Sequence, residues 1–68
     1  MLEPLRVRIY AARRAAAENR LRSLGIPQDV AERWLGAWEA YAAQEGLDRD
    51  ARGFWQRGEE WIGAHRGR

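Results

Sequence analysis

The hydrophobic positions of this chain recur mostly at intervals of three and four residues, and no stretch alternates long enough to form a strand. Spacing of this kind places apolar residues along one side of a helix. The short connections between these stretches bring successive helices side by side. The sequence therefore predicts an all-α fold, a single three-helix domain spanning residues 1–68. The predicted helices cover about residues 4–24, 27–45 and 50–65.

Glycine and aspartate mark the predicted helix ends. Gly25 and Gly46 each stand just after a predicted helix, where a residue without a side chain closes the last turn. Asp48 or Asp50 can cap the N-terminal end of the third helix, because a carboxylate accepts a hydrogen bond from free amides there. We therefore expect two clean boundaries between the three helices.

The second and third predicted helices each carry their aromatic residues on one face. We predict that they form an antiparallel hairpin with an aromatic core, with the long first helix packed across it. Gly58 lies in the middle of the third helix's face, where it would let a bulky indole or another backbone come close. The predicted faces are Val30, Trp34, Ala37, Trp38 and Tyr41 on the second helix, broadened by Ala31, Leu35 and Ala42, and Ala51, Phe54, Trp55, Gly58, Trp61, Ile62 and His65 on the third.

Four tryptophans in 68 residues dominate the expected core, and the chain has no cysteine to supply a disulfide. Burying four indoles would contribute roughly 15–25 kcal/mol, which assigns most of them to the core. So thin a bundle cannot cover all four. We expect at least one to be partly exposed and predict that it is Trp55, at the edge of its face.

The first predicted helix carries two apolar stripes on different faces, one along each half. The N-terminal and C-terminal halves of this helix are therefore expected to contact different neighbours. The alanine-rich centre favours helix and allows close approach of a neighbour. The N-terminal stripe favours a partner helix, either within the fold or in a second copy of the chain. The stripes are Leu2, Leu5, Ile9, Ala12 and Ala16, and Tyr10, Ala17, Leu21 and Leu24.

The net charge of +2 hides an uneven distribution along the chain. Residues 1–25 carry six arginines against two glutamates, whereas residues 26–50 carry two arginines against six acids. A basic first third could bind nucleic acid. It could equally pack beside the acidic middle third, and we favour this second interpretation.

Enzyme chemistry finds little support in the sequence. The single histidine, His65, and the single serine, Ser23, stand near helix ends with nothing to orient them. Asp48, Asp50 and Glu59 match positions of a calcium-binding loop, but Arg52 occupies the position of a further oxygen ligand. We therefore expect no catalytic residue, no cofactor, no metal and no small-molecule substrate.

Our leading hypothesis is a small non-enzymatic protein-interaction module, acting as an accessory or regulatory factor. Its partner would be a second copy, forming a homodimer, or a larger protein. An amphipathic indole that the core leaves exposed is typical of an interface. The candidate contact residues are Leu5, Ile9, Ala12, Trp34, Trp55 and Trp61.

The alternative hypothesis is a small DNA- or RNA-binding protein with a degenerate helix-turn-helix. Ala42 and Gly46 have the mutual spacing of that turn, and Trp55 would be the buried residue of the recognition helix. Glu45 and Arg52, however, fall where the motif has apolar side chains. The candidate nucleic-acid contacts are Arg6, Arg13, Arg20, Arg52 and Arg57.

The chain holds no apolar run long enough to span a membrane. Its first residues include an acid where a secretory signal has basic residues. We therefore expect a cytoplasmic protein without a membrane partner.

Overall fold

The computed structural model describes residues 4–67, in which three helices pack side by side. Helix α1 is Leu5–Ser23, α2 is Gln28–Gln44 and α3 is Phe54–Arg66. Every pair of helices is in contact, and the described residues contain no strand. The predicted all-α three-helix fold is confirmed. Between residues 4 and 67, no helix combines the length and apolarity needed to cross a membrane.

Aromatic contacts fix the direction of α3 relative to α2. The ring centroids of Trp34 and Trp61 lie 6.2 Å apart, and those of Trp38 and Phe54 lie 5.2 Å apart. The later residue of α2, Trp38, therefore contacts the earlier residue of α3, Phe54. This is the register of an antiparallel pair, as the sequence predicts.

Helix α1 packs across that pair and runs in the same direction as α3. Its Tyr10 ring lies 5.4 Å from the Trp55 ring, and its Arg20 forms an ion pair with Glu59 further along α3. Ala17 and Leu21 of the predicted C-terminal stripe are buried. The C-terminal half of α1 therefore faces the core through these two residues.

The chain leaves α1 and α2 through the same hydrogen-bonded turn. After α1, the Ile26 amide donates to the Leu21 carbonyl at 3.2 Å, and Gly25 takes a left-handed φ of 91°. Ile26 and Leu21 are both buried, so the turn also contributes to the core. After α2, the corresponding residues are Leu47, Ala42 and Gly46, with an amide-to-carbonyl distance of 2.9 Å.

The start of α3 differs from the prediction by four residues. The Asp48 carboxylate accepts a hydrogen bond from the Asp50 amide at 3.0 Å, which closes a local turn rather than capping a helix. Gly53 then adopts a φ of 86°, which a right-handed helix does not contain. The helix therefore begins at Phe54, and the prediction of a start near residue 50 is wrong.

Trp38 and Trp55 are the two deeply buried tryptophans, at 2% and 4% exposure. The prediction that Trp55 is the exposed indole is wrong, because Tyr10 of α1 and the neighbouring Phe54 cover it. Trp34 and Trp61 lie half-buried against the core edge. The thin bundle thus leaves two indoles partly uncovered, though not the one expected.

Several positions predicted to face the core are exposed instead. The buried face of α2 is centred on Leu35 and Trp38. The edge of the predicted face that includes Tyr41 is therefore directed toward solvent. Leu24 lies beyond the last turn of α1, where Ile26 takes the core position. The residues of the predicted core faces that the structure exposes are Ala37, Tyr41, Ala51 and His65. Leu24 of the second stripe on α1 is exposed as well.

Gly58 lies directly against the Trp38 indole. A Cβ atom at this position would be 2.5 Å from Trp38 Nε1 and 2.6 Å from Trp38 Cδ1, closer than any real contact of this kind. The predicted close approach of an indole to Gly58 is confirmed. Helices α2 and α3 can pack at this distance only because Gly58 has no side chain.

Gly58→Ala is expected to destabilise the fold by about 1–3 kcal/mol, because overpacking outweighs the better helix propensity of alanine. Gly63→Ala is the matched control on the same helix, since nothing lies within 4 Å of its Cβ position. The control should stabilise by about 0.5–1 kcal/mol. Urea unfolding measures both free energies, and equal effects of the two substitutions would contradict the packing assigned here.

Candidate functional site

The N-terminal end of α1 extends beyond the start of α3. Tyr10 lies level with Phe54, the first residue of α3, with ring centroids 6.4 Å apart. The five residues of α1 before Tyr10 make about one and a half turns and project roughly 7 Å further. Arg49 and Asp50 of the connection between α2 and α3 lie beside them. Helix α3 begins level with Tyr10 and so does not cover this part of α1.

Large apolar side chains are exposed where α1 projects. Leu5 is 70% exposed, Val7 43% and Ile9 41%, and Ala12 is also on the surface. Helical spacing aligns Leu5 and Ile9 with the two alanines that follow. We call Leu5, Ile9, Ala12 and Ala16 the apolar face of α1. Leu2, the first member of the predicted N-terminal stripe, lies outside the described residues.

Two shallow, open depressions separate α1 from the connection after α2. Leu5 and Ile9 line one of them, and Val7 and Tyr10 line the other. Their polar walls come from arginines of α1 and from the connection. These polar lining residues are Arg6, Arg13, Arg49 and Asp50.

Glu39 of α2 ties the middle of α1 to the rest of the fold. The Tyr10 hydroxyl donates to Glu39 Oε2, and Arg14 Nε donates to Glu39 Oε1 at 3.1 Å. Arg49 lies 3.9 Å from Glu39 Oε2, and its guanidinium carbon is 4.1 Å from the centre of the Tyr10 ring. Arg14 also pairs with Glu32 at 3.6 Å. The favoured prediction, that basic α1 packs beside the acidic middle of the chain, is confirmed at Arg14.

The candidate nucleic-acid contacts on α1, Arg6, Arg13 and Arg20, do not form a uniform basic surface. Arg20 forms an ion pair with Glu59 at 2.7 Å, and Arg13 donates to the Asp50 carbonyl at 3.4 Å. Arg6 is exposed and forms no ion pair within the described residues. On the other elements, Arg52 lies in the connection and Arg57 on α3, both exposed. The five candidate nucleic-acid contacts therefore lie on three parts of the fold: α1, the connection after α2, and α3.

The helix-turn-helix template does not fit the observed connection. Helix α2 ends at Gln44 and α3 begins at Phe54, so nine residues, 45–53, separate them. That motif joins its helices through three or four residues. Its geometry is therefore not formed by α2 and α3.

The residues considered for enzyme or metal chemistry have other partners. Ser23 Oγ donates to the Asn19 carbonyl at 2.9 Å, and His65 Nδ1 lies 2.8 Å from the Trp61 carbonyl oxygen. Glu59, which matches a calcium-loop position, is engaged by Arg20. Within residues 4–67, no group of three or more potential metal-binding side chains converges.

Sequence reasoning missed Glu39, Arg49 and Val7. Glu39 stands beside buried Trp38 in the sequence, but nothing local shows that it meets a tyrosine 29 residues away. Arg49 was counted only as a charge of the middle third. Val7 belongs to neither predicted stripe. It stands three residues before Tyr10 and ten before Ala17, so helical spacing places it on the core-facing side of α1 and does not mark its exposure.

Neither a scan against protein-family models nor searches of curated proteins and solved structures found a match to this chain.

The Glu39 contact predicts a specific titration. Burial first, and then Glu39, raise the pKa of Tyr10 from its ordinary value of 10.0 to about 12. Between those two values the unfolded chain loses the phenolic proton while the folded chain keeps it. The free energy of unfolding therefore decreases as pH rises from about 10 to about 12.

Glu39→Gln should bring the pKa of Tyr10 closer to 10 without restoring it fully, since burial remains. Tyrosine absorbance during alkaline titration, with Tyr10→Phe to assign the signal, measures this pKa. An unchanged pKa in Glu39→Gln would contradict the assigned contact.

Proposed function

We propose that this chain is a small non-enzymatic protein-interaction module that binds its partner through the apolar face of α1. The observation that carries the proposal is the clustering of exposed apolar residues. Of the five large hydrophobic residues that are exposed in the described part of the chain, three lie in the first turns of α1. Two of these, Leu5 and Ile9, share the apolar face, whereas Val7 lies on the opposite side of the helix. Clustered exposure of this kind is typical of a binding surface, whereas scattered residues are ordinary.

The available binding energy supports docking of a whole helical face rather than of two side chains. Burying the parts of Leu5 and Ile9 that are still exposed, 70% and 41% of the two residues, would contribute about 2–3 kcal/mol together. A micromolar complex needs about 8 kcal/mol in addition to the cost of association. The aliphatic stems of Arg6 and Arg13, which line the same depression, supply further apolar contact. A partner must therefore cover both the apolar face and its arginine border.

The positions of Ser23 and His65 support a non-enzymatic role. Each side chain contacts a backbone carbonyl four residues earlier in its own helix. Neither is directed at the other or at a buried carboxylate, which an activated nucleophile or base requires.

Photo-crosslinking tests the proposed surface in the cells that make the protein. A benzophenone side chain replaces Ile9 in one variant and Leu24 in a matched control. Leu24 is 72% exposed, directly follows α1 and lies outside the apolar face. We expect protein adducts from position 9 that are absent from position 24. Adding Leu5→Ser to the position 9 variant should reduce them about tenfold, because a large apolar contact is lost.

Identical adducts from both positions, or none from position 9, would contradict the proposal. Nuclease-sensitive adducts at position 9 would instead support the alternative, binding of DNA or RNA through the arginines. Circular dichroism checks that each variant keeps its helix content.

A further inference from the structure

The apolar face of α1 has a basic border on both sides. At 100° per residue, Arg6 and Arg13 fall on one side of the line through Leu5 and Ile9, and Arg8 falls on the other. The connection after α2 adds Arg49 at the same end. Asp50 is the one acid that lines the two depressions.

Three arginines at this border, Arg6, Arg8 and Arg13, have no carboxylate partner in the described part of the chain, whereas Arg49 pairs with Glu39. Arg14 and Arg20, which point toward the other helices, pair with glutamates of α2 and α3. Within residues 4–67, Arg6, Arg8 and Arg13 form no ion pair, and Arg13 reaches only a neutral carbonyl. Arg6, Arg13 and Arg49 therefore outnumber Asp50 among the charged residues that line the two depressions, which leaves an excess of positive charge beside the apolar face.

We infer that the apolar face of α1 receives an acidic amphipathic helix of another protein, with an apolar stripe bordered by aspartate or glutamate. This inference rests on the proposed function and specifies its partner. Charge complementarity carries it, because acids on the partner would meet Arg6, Arg8 and Arg13 as the apolar stripes close. A second copy does not fit. Two such faces would bring arginine against arginine whether the helices ran parallel or antiparallel.

The shape of the face favours a helix over other acidic surfaces. Beyond Leu5 and Ile9, the face continues as Ala12 and Ala16, whose small side chains allow a neighbouring helix to approach closely. Leu5 to Ala16 spans roughly 17 Å, about three helical turns. An anionic membrane would favour large side chains along the whole face rather than two alanines. A phosphate backbone would gain nothing from the central apolar stripe.

Three matched peptides test the inference on the full-length chain. Each is a stapled helix of about 18 residues with leucines at spacings of three and four. The positions flanking the leucines are glutamate, glutamine or lysine. We expect fluorescence anisotropy to give dissociation constants that rise about tenfold from the glutamate to the glutamine peptide, and again to the lysine peptide. Raising the salt concentration should reduce the differences among the three dissociation constants, because salt screens the charges.

Protein variants locate the binding. Arg6→Gln with Arg13→Gln should remove most of the preference for the glutamate peptide. Arg33→Gln with Arg66→Gln removes the same charge from exposed positions elsewhere and should leave the preference intact. Leu5→Ser should weaken binding about tenfold, whereas Leu24→Ser should have an effect below about twofold.

The outcomes separate this inference from the proposed function. Equal binding of the three peptides that depends on Leu5 would overturn the acidic partner and leave the docking face standing. A dimer in sedimentation equilibrium that depends on Leu5 would likewise overturn the acidic partner and leave the docking face standing. Failure to bind any peptide would overturn the inference, while crosslinking at position 9 tests the face independently. Tighter binding to anionic phospholipid vesicles or to duplex DNA than to the glutamate peptide would also overturn it.

Discussion

The Trp38 indole against the bare backbone of Gly58 is the contact on which the rest of the structure depends. It sets how closely α2 and α3 approach, since any Cβ at residue 58 would overlap the indole. With the two helices at this distance, Phe54 and Trp61 reach the Trp38 ring, with centroids at 5.2 and 5.9 Å. A chain of this size without disulfides needs such dense aromatic packing, because small domains bury a smaller fraction of their surface.

The same packing accounts for the exposed end of α1. Residues 45–53 form the connection that reverses the chain direction between α2 and α3. As a result, α3 begins level with Tyr10 rather than with the start of α1. Tyr10, Arg14 and Arg20 attach α1 to the other helices by polar contacts at its middle and its C-terminal half. The turns before Tyr10 extend beyond the start of α3. The exposure of Leu5 and Ile9 is thus a consequence of where α3 starts.

Much of this architecture could be predicted from the sequence, and the failures have definite physical causes. The helices, the turns at Gly25 and Gly46 and the role of Gly58 follow from local rules of spacing and backbone conformation. Trp55 was predicted incorrectly because its position on α3 alone does not reveal that Tyr10 of α1 covers it. The start of α3 was predicted incorrectly because two aspartates fit a helix cap and a local turn equally well. Among the candidate site residues, Leu5 and Ile9 stood out by their stripe, whereas the Glu39 contacts join residues too distant in sequence for any local pattern.

The central claim is that the tryptophans form the core and leave binding to α1. Hydrogen exchange at the indole nitrogens tests it most directly, because Trp38 Nε1 and Trp55 Nε1 are both shielded from solvent. In NMR spectra, contacts to Gly58 would assign the Trp38 signal and contacts to Tyr10 the Trp55 signal. The account predicts that both protons exchange at least about a hundredfold more slowly than those of a free indole. Exchange of the Trp55 proton at the free rate would place that indole on the surface and contradict the account.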